Sequence, residues 1–143
     1  MYFCGPAVLQ MLAAWRGIRK DQRSLARLCG TTEATGTDRA PLIRQARRLG
    51  YRCVERRGAT YASLVRTVRG GTPAIVNYLE PDGDIGHYAL AVWADDRGLT
   101  LHDPWNGARY RIAKAVFVRR WKGEDLRTKP RWFVACRPIA KRA

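Results

Sequence analysis

The opening stretch MYFCGPAVLQMLAAWRG, residues 1–17, decides the fold, because an apolar helical pattern begins directly at a cysteine. Its apolar residues recur at the three- and four-residue spacing of one helix face: Val8, Met11, Leu12 and Trp15. Most helices begin with Ser, Thr, Asp or Asn as the cap, whereas this one begins at Cys4, followed by Gly5 and Pro6. The free N–H groups and the dipole at a helix start predict a lowered pKa for this thiol. Taken alone, however, such a cysteine is more often a buried structural residue.

The composition indicates one globular domain. The chain has 143 residues, of which 46% are hydrophobic and 27% charged, and this length is enough for a real core. No uninterrupted apolar window approaches the length of a membrane span, and no secretion signal opens the chain. We therefore expect a single cytoplasmic domain over residues 1–143, without a membrane segment of its own.

The charge balance is strongly basic, with 27 Lys and Arg residues against 12 Asp and Glu residues, a formal net charge of +15. Such an excess is compatible with nucleic acid, with an acidic partner, or with arginines that only solvate the surface. Because the basic residues are spread along the whole chain, charge alone does not select among these.

Five tryptophans bear on the nucleic-acid hypothesis, since exposed rings can stack on bases. Helix or strand patterns contain four of them and favour core packing: Trp15, Trp93, Trp121 and Trp132. Only Trp105, in the turn PWNG, is predicted to be exposed, where it would equally suit the wall of a substrate groove. We therefore disfavour nucleic-acid binding.

The four cysteines lie far apart in the sequence: Cys4, Cys29, Cys53 and Cys136. Their spacing matches no metal-binding motif, and a disulfide framework is disfavoured for a chain of this length in a reducing compartment. The last three lie in amphipathic or strand-like segments and are predicted to be small buried hydrophobes.

The pattern along the chain places helices first and mostly consecutive strands afterwards. A second helix is expected at 21–28 with Leu25 and Leu28 inward, and a third between a cap at Thr37 or Asp38 and Gly50. Strands are expected at 51–55, 72–80, 87–95, 99–103, 108–112 and 131–139, with short helices at 60–71 and 114–121. This layout predicts an α+β fold with the N-terminal helices packed on one side of an antiparallel β-sheet.

Two histidines are present, and one of them can meet a carboxylate. His87 starts one strand just past the turn PDGDIG (81–86), and Asp103 ends the next strand. If the two strands form a hairpin through 96–98, the start of the first lies beside the end of the second. His102 would then point to the opposite face. A helix-start cysteine with a His–Asp pair is the arrangement of a nucleophile, a base and a group that orients the base.

Three blocks of the sequence together resemble one family: CGPAVLQMLAAWRG, then GHYALAV, then LTLHDPWNG. They look like those of the bacteriocin-processing cysteine peptidases, peptidase family thirty-nine, and the resemblance extends over nearly the whole chain. It implies a papain-like fold and a thiol protease that needs no cofactor or metal. Members often form the cytosolic N-terminal domain of ABC exporters and cleave leader peptides after a Gly-Gly pair.

Carried over by motif, the resemblance implies a role for each residue. Cys4 would be the nucleophile, and its backbone N–H would donate to the oxyanion. His87 would be the general base that then protonates the leaving amine, and Asp103 would orient the imidazole. The substrate would be a peptide or leader segment, and the basic surface would suit an acidic or amphipathic one.

The family also places a glutamine, its second oxyanion donor, about six residues before the nucleophile, whereas only Met1–Phe3 precede Cys4 in this sequence. Losing such a donor typically slows the reaction about a hundredfold to a thousandfold. Three explanations stay open: the start of the sequence is truncated, another group donates to the oxyanion, or the domain is a weak or inactive relative. We expect a cysteine peptidase; the alternative is a catalytically impaired domain that binds leader peptides without cleaving them. Acyl transfer on the same three residues is a minor third reading.

Overall fold

The structure is a computed structural model that describes residues 3–81, 86–121 and 131–140. Five helices lie in these ranges: α1 (Cys4–Trp15), α2 (Gln22–Cys29), α3 (Arg39–Arg48), α4 (Tyr61–Arg69) and α5 (Lys114–Arg120). The same ranges contain six strands: β1 (Tyr51–Arg56), β2 (Ala74–Leu79), β3 (Gly86–Ala94), β4 (Gly98–Asp103), β5 (Gly107–Ala113) and β6 (Phe133–Pro138). The expected α+β fold is confirmed, and most of the turn expected at 81–86 lies outside the described residues.

The strands form one antiparallel sheet in the order β1-β6-β2-β3-β4-β5. Strands β2 to β5 follow one another as neighbours, as their short connections predict. Strand β6 instead inserts between β1 and β2, so the last described strand of the chain lies inside the sheet rather than at its edge. This insertion leaves β1 and β5 as the two edge strands.

Both faces of the sheet are covered by helices. The helices α1, α2 and α3 pack on one face, over a core that includes Leu12, Leu42 and Leu90. On the opposite face, α4 and α5 cover residues such as Val76, Leu101 and Phe117. The prediction of helices on one side therefore holds for the N-terminal helices only. The burial pattern of β3 shows why a second helical layer is needed. Most of its residues are buried, not only those at every second position, so both faces of the strand must be covered.

The start of α1 is fixed by contact with the loop between α2 and α3. A Cβ atom at Gly5 would lie only 2.6 Å from Oγ1 of Thr37, so the helix can approach this loop only with glycine there. Helix α2 begins at the side-chain cap of Asp21, which accepts from the Ser24 N–H, and ends at Gly30 in the left-handed region. The close approach of Gly5 to Thr37 is the contact that positions the first residue of α1.

The prediction of a buried side chain is wrong for three residues, each of which exposes almost half of its side chain: Trp15, Leu28 and Trp93. At the end of α2, Cys29 rather than Leu28 is buried. A β-bulge between Ala91 and Trp93 breaks the alternation of β3, so Ala94 takes the buried position and Trp93 stays at the surface. Trp15 lies at the C-terminal end of α1, where the edge of its ring contacts the ring of His102 with the centroids 6.1 Å apart.

The remaining core predictions agree with the structure. The stripe predicted for α3 is buried, at Leu42, Ile43, Ala46 and Leu49. The three cysteines expected in the core, Cys29, Cys53 and Cys136, are also buried, as are Trp121 and Trp132.

Candidate active site

His87 and Asp103 meet at one end of the β3–β4 pair. The Nε2 atom of His87 lies 2.9 Å from Oδ2 of Asp103, and both side chains are buried. The contact arises because the start of β3 lies beside the end of β4 in an antiparallel pair, as the hairpin predicts. His102 lies elsewhere: its Nδ1 accepts from the backbone N–H of Arg109 at 3.4 Å, and its ring contacts Trp15.

From the part of the chain that the structure describes, Asp103 accepts four hydrogen bonds. Its Oδ2 atom accepts from His87 and from the hydroxyl of Tyr78, and its Oδ1 atom accepts from the backbone N–H groups of Trp105 at 2.8 Å and Asn106 at 3.0 Å. Burial alone would raise the pKa of this carboxyl, but the hydrogen bonds and the charge of His87 outweigh burial and lower the pKa to about 2. Asp103 is therefore a carboxylate at any physiological pH.

Tyr78 is a member of this cluster that sequence reasoning missed. It stands opposite His87 in the β2–β3 register, with the two ring centroids 4.7 Å apart. Burial and the neighbouring Asp103 carboxylate raise the pKa of its phenol well above the usual value, so the hydroxyl keeps its proton and donates. The segment AIVNYL indicates only a buried strand, and the signal that could have found Tyr78 is the strand register, which the sequence alone does not give.

Cys4 lies at the first position of α1 and contacts the start of β3. Its Sγ atom accepts from the backbone N–H of Tyr88 at 3.5 Å, one residue along from His87. Burial raises the pKa of this thiol, and the N–H groups of Tyr88 and Gly5, which lower it, do not compensate. The lowered pKa predicted for this thiol is therefore wrong, because the same packing that places the thiol at the helix start also removes it from water.

The two ring nitrogens of His87 differ in their surroundings. Nε2 is hydrogen-bonded to Asp103, whereas Nδ1 is buried and has no hydrogen-bond partner among the described residues. A buried ring nitrogen without a partner is costly and needs an explanation. Nδ1 is thus the atom of His87 that remains available to exchange a proton.

The start of β3 is held to the helical layer by side chains around Thr37. The hydroxyl of Tyr88 donates to the carbonyl of Thr37 at 2.8 Å, and the hydroxyls of Thr31 and Thr37 lie 2.7 Å apart. Because Gly5 packs directly on Thr37, one buried threonine contacts both the residue after Cys4 and the residue after His87. This arrangement fixes the thiol-bearing helix start relative to the His87 strand.

Comparison with known proteins identifies the family. The sequence profile of the Peptidase_C39 like family matches residues 1–124. The chain belongs to this Peptidase_C39-like family. An uncharacterized protein of Methanothermobacter marburgensis is 35% identical over 125 residues, which cover 87% of this chain and 80% of that protein.

Two solved structures of peptidase domains have the same fold. The peptidase domain of Streptococcus ComA, a bi-functional ABC transporter of a quorum-sensing pathway, matches with a TM-score of 0.72 and 22% identity, covering 94% of this chain and 90% of that chain. A double glycine motif protease from an AMS/PCAT transporter, in complex with the leader peptide, matches with a TM-score of 0.75 and 19% identity, covering 97% and 86%. The papain-like peptidase fold is thereby confirmed.

Trp105, predicted to be exposed, exposes almost half of its side chain and stacks over His87 in this Peptidase_C39-like domain. The ring centroids are 6.2 Å apart and the ring planes differ by 29°. The tryptophan therefore covers one side of the buried imidazole while its other side faces solvent.

A groove of about 910 Å³ runs beside the cluster, between the outer face of α1 and the β4–β5 turn. Its apolar lining comes from Ala7, Met11, Ala14, Ile18 and Pro104, and it reaches Asp103. Three charged residues between α1 and α2 also line the groove: Arg19 and Lys20 are basic, and Asp21 is acidic. Within residues 3–81, 86–121 and 131–140, no helix combines the length and apolar character needed to cross a membrane.

Proposed function

We propose that this Peptidase_C39-like domain is a cysteine peptidase that cleaves a peptide or leader segment, with Cys4, His87 and Asp103 as its catalytic residues. The observation that carries the proposal is the buried His87–Asp103 pair, joined at 2.9 Å, at the strand start that also contacts the Cys4 sulfur. A nucleophile, a base and a carboxylate in this order are the parts that thiol-dependent acyl transfer requires.

The raised pKa of Cys4 determines how the reaction would begin. The resting thiol is neutral, so the thiolate forms as the proton passes from Sγ to Nδ1 of His87. The Asp103 carboxylate stabilises the imidazolium through Nε2. The thiolate then attacks the peptide carbonyl, and the backbone N–H of Cys4 donates to the oxyanion. His87 returns the proton to the leaving amine, and water hydrolyses the thioester.

We also propose that the α1 groove receives the substrate. Its floor is apolar and ends beside Asp103, while Arg19 and Lys20 would favour a peptide with acidic residues. Two similar domains belong to transporters, and one of them is described with a leader peptide. A leader peptide cleaved after small residues such as Gly-Gly, and association with an ABC transporter, are therefore the substrate and partner that we propose to test first.

The second candidate is a domain that binds such peptides without cleaving them. Two observations favour it: burial raises the pKa of Cys4, and the described residues contain no hydrogen bond between its sulfur and His87. A peptide-binding domain would use the same groove and would not need the proton transfer.

Cleavage of synthetic leader peptides that contain a Gly-Gly pair tests both candidates. Peptidase activity predicts turnover by the unsubstituted protein and a loss of about a thousandfold or more in kcat/KM for Cys4→Ala, because the nucleophile is removed. Cys29→Ala is the matched control, since Cys29 is also a buried thiol of the same core and should leave turnover unchanged.

Peptide affinity measured in parallel separates the candidates. If the unsubstituted protein and Cys4→Ala bind the peptide equally and neither cleaves it, the peptidase proposal is wrong and the binding domain is correct. Iodoacetamide labelling of Cys4 gives an independent reading, because proton transfer to His87 predicts slower labelling in His87→Ala.

A further inference from the structure

Two thiols outside the candidate active site face each other across neighbouring strands. Cys53 on β1 stands directly opposite Cys136 on β6 in the antiparallel register. Cross-strand partners point to the same face of a sheet, and both side chains lie in the core beneath the N-terminal helices. Both are free thiols, and each donates to a carbonyl of its own strand: Cys53 to Tyr51 at 3.9 Å and Cys136 to Val134 at 3.6 Å.

The backbone hydrogen bonds show which type of pair this is. The N–H of Cys136 donates to the carbonyl of Pro73 at 2.8 Å, on the side of β2 and away from β1. The carbonyl of Cys53 accepts from Arg47, on the open side of β1 and away from β6. The N–H of Ile139 donates to the carbonyl of Gly50, so these two residues are a hydrogen-bonded pair. Because bonded and non-bonded pairs alternate along the two strands, the pair three positions further along is non-bonded. Cys53 and Cys136 therefore form a non-hydrogen-bonded pair.

Such pairs bring two strands to their closest approach. The Cα atoms of a non-hydrogen-bonded antiparallel pair are about 4.5 Å apart, whereas a disulfide needs roughly 4.4–6.8 Å. The two cysteines thus meet the distance requirement of a disulfide without any movement of the backbone.

We propose that Cys53 and Cys136 are a modification site at which a hydroperoxide converts the two thiols into an intramolecular disulfide. In the first step the Cys53 sulfur attacks the O–O bond, becomes a sulfenic acid and releases water when the oxidant is hydrogen peroxide. In the second step the Cys136 sulfur displaces the hydroxyl of the sulfenic acid, which leaves as a second water. Two thiols are oxidised, one peroxide is reduced to two waters, and a dithiol reductant reverses the change.

The surroundings favour Cys53 as the thiol that reacts first. The neighbouring Cys136 thiol lowers the pKa of Cys53, and Arg47 acts in the same direction, although burial opposes both. Cys53 also lies on an edge strand, so local opening of β1 would admit a small oxidant. Cys29 provides the contrast, because burial raises the pKa of its thiol to about 11.

Peptide mapping of the folded, unsubstituted protein after exposure to hydrogen peroxide tests the proposal. Trypsin is expected to release residues 53–56 and 132–141 as one linked species, because it does not cleave between Arg137 and Pro138, and this species separates after treatment with dithiothreitol. The oxidised protein should also melt at a higher temperature, by about 10 °C, because the new bond closes a loop of more than half the chain.

Three variants complete the experiment. Cys53→Ser and Cys136→Ala should each abolish the linked species and the rise in melting temperature, while Cys29→Ser, the matched control, should retain both. Circular dichroism identifies any variant that fails to fold, and the unsubstituted protein gives the linkage result without depending on a variant. The proposal is overturned if both thiols stay free after peroxide treatment, or if Cys53 is found joined to Cys4 or Cys29 instead.

Discussion

Oxygen Oδ2 of Asp103 is shared between two donors, the imidazole of His87 and the hydroxyl of Tyr78. Tyr78 donates from β2 and His87 from β3, whereas Asp103 itself lies on β4. These hydrogen bonds therefore join three neighbouring strands. Each charge-assisted hydrogen bond of this kind contributes about 1.5–3 kcal/mol, compared with about 0.5–1.5 kcal/mol for a neutral pair. In the proposed reaction Tyr78 would therefore act through Asp103, as a positioning residue.

Tyr78→Phe should lower stability and activity in a way that depends on pH. The hydroxyl helps to keep the pKa of Asp103 near 2, below the ordinary value of 3.8, so its contribution is present above about pH 4 and is lost as pH falls through the folded pKa. We expect a loss of about 2 kcal/mol in unfolding free energy at pH 7, measured with urea, and a smaller difference near pH 2. We also expect kcat to fall about tenfold, because the imidazolium is less well stabilised.

Tyr88→Phe is the matched control. It removes the hydroxyl of a tyrosine on the neighbouring strand β3, which donates to a neutral backbone carbonyl, that of Thr37 in the loop between α2 and α3. Its destabilisation should be about 1 kcal/mol and should not change between pH 7 and pH 2. Equal pH dependence in the two variants would refute the link between Tyr78 and the Asp103 carboxylate.

At the scale of elements, α1 is positioned by the close approach of Gly5 to Thr37. A methyl group at Gly5 would lie 2.6 Å from Oγ1 and 2.7 Å from Cβ of Thr37, neither of which belongs to a flexible chain end. Alanine normally stabilises a helix by about 1 kcal/mol relative to glycine, whereas overpacking a core costs about 1–3 kcal/mol. The steric cost should exceed the helical gain at this position.

Gly5→Ala should consequently destabilise the protein by about 1–2 kcal/mol and reduce peptide cleavage, since the start of α1 carries Cys4. Urea unfolding and kcat/KM measure the two effects. Thr37→Gly in the same chain should restore part of the activity by making room for the new methyl group. If Gly5→Ala proves more stable than the unsubstituted protein, the contact with Thr37 does not position the helix.

The sequence predicts local elements well and their arrangement less well. Every helix and strand expected from periodicity is present, and the meeting of His87 with Asp103 follows from one hairpin. The position of β6 could not be predicted, because strand order depends on contacts between residues far apart in the chain. Tyr78 was missed for the same reason, and the exposure of Trp93 depends on a bulge that no local motif marks.

At the scale of the whole molecule, the net charge of +15 should influence peptide capture more than turnover. Exposed charges attract an acidic peptide over a range of about 10 Å at 0.1 M salt, and added salt shortens that range. Arg19 and Lys20 line the proposed groove, whereas Arg66 lies on α4, on the other face of the sheet.

Arg19→Glu combined with Lys20→Glu should therefore weaken binding of an acidic peptide by about tenfold at low salt, with a smaller effect at 0.5 M salt. Fluorescence anisotropy of a labelled peptide measures the affinity. Arg66→Glu, the control, should leave the affinity close to that of the unsubstituted protein. An equal loss in both variants would mean that overall charge, and not the groove, attracts the peptide.

The insertion of β6 between β1 and β2 also has a consequence for how the chain folds. Among the strands that the structure describes, β1 pairs with β6 alone, so this pairing must wait until a segment more than half the chain away has been synthesised and docked. Contacts of such sequence separation slow folding, and β1 remains an unpaired strand until β6 arrives. During synthesis, β2 to β5 can pair in order as a meander, whereas β1 and the layer of α1–α3 above it are completed last.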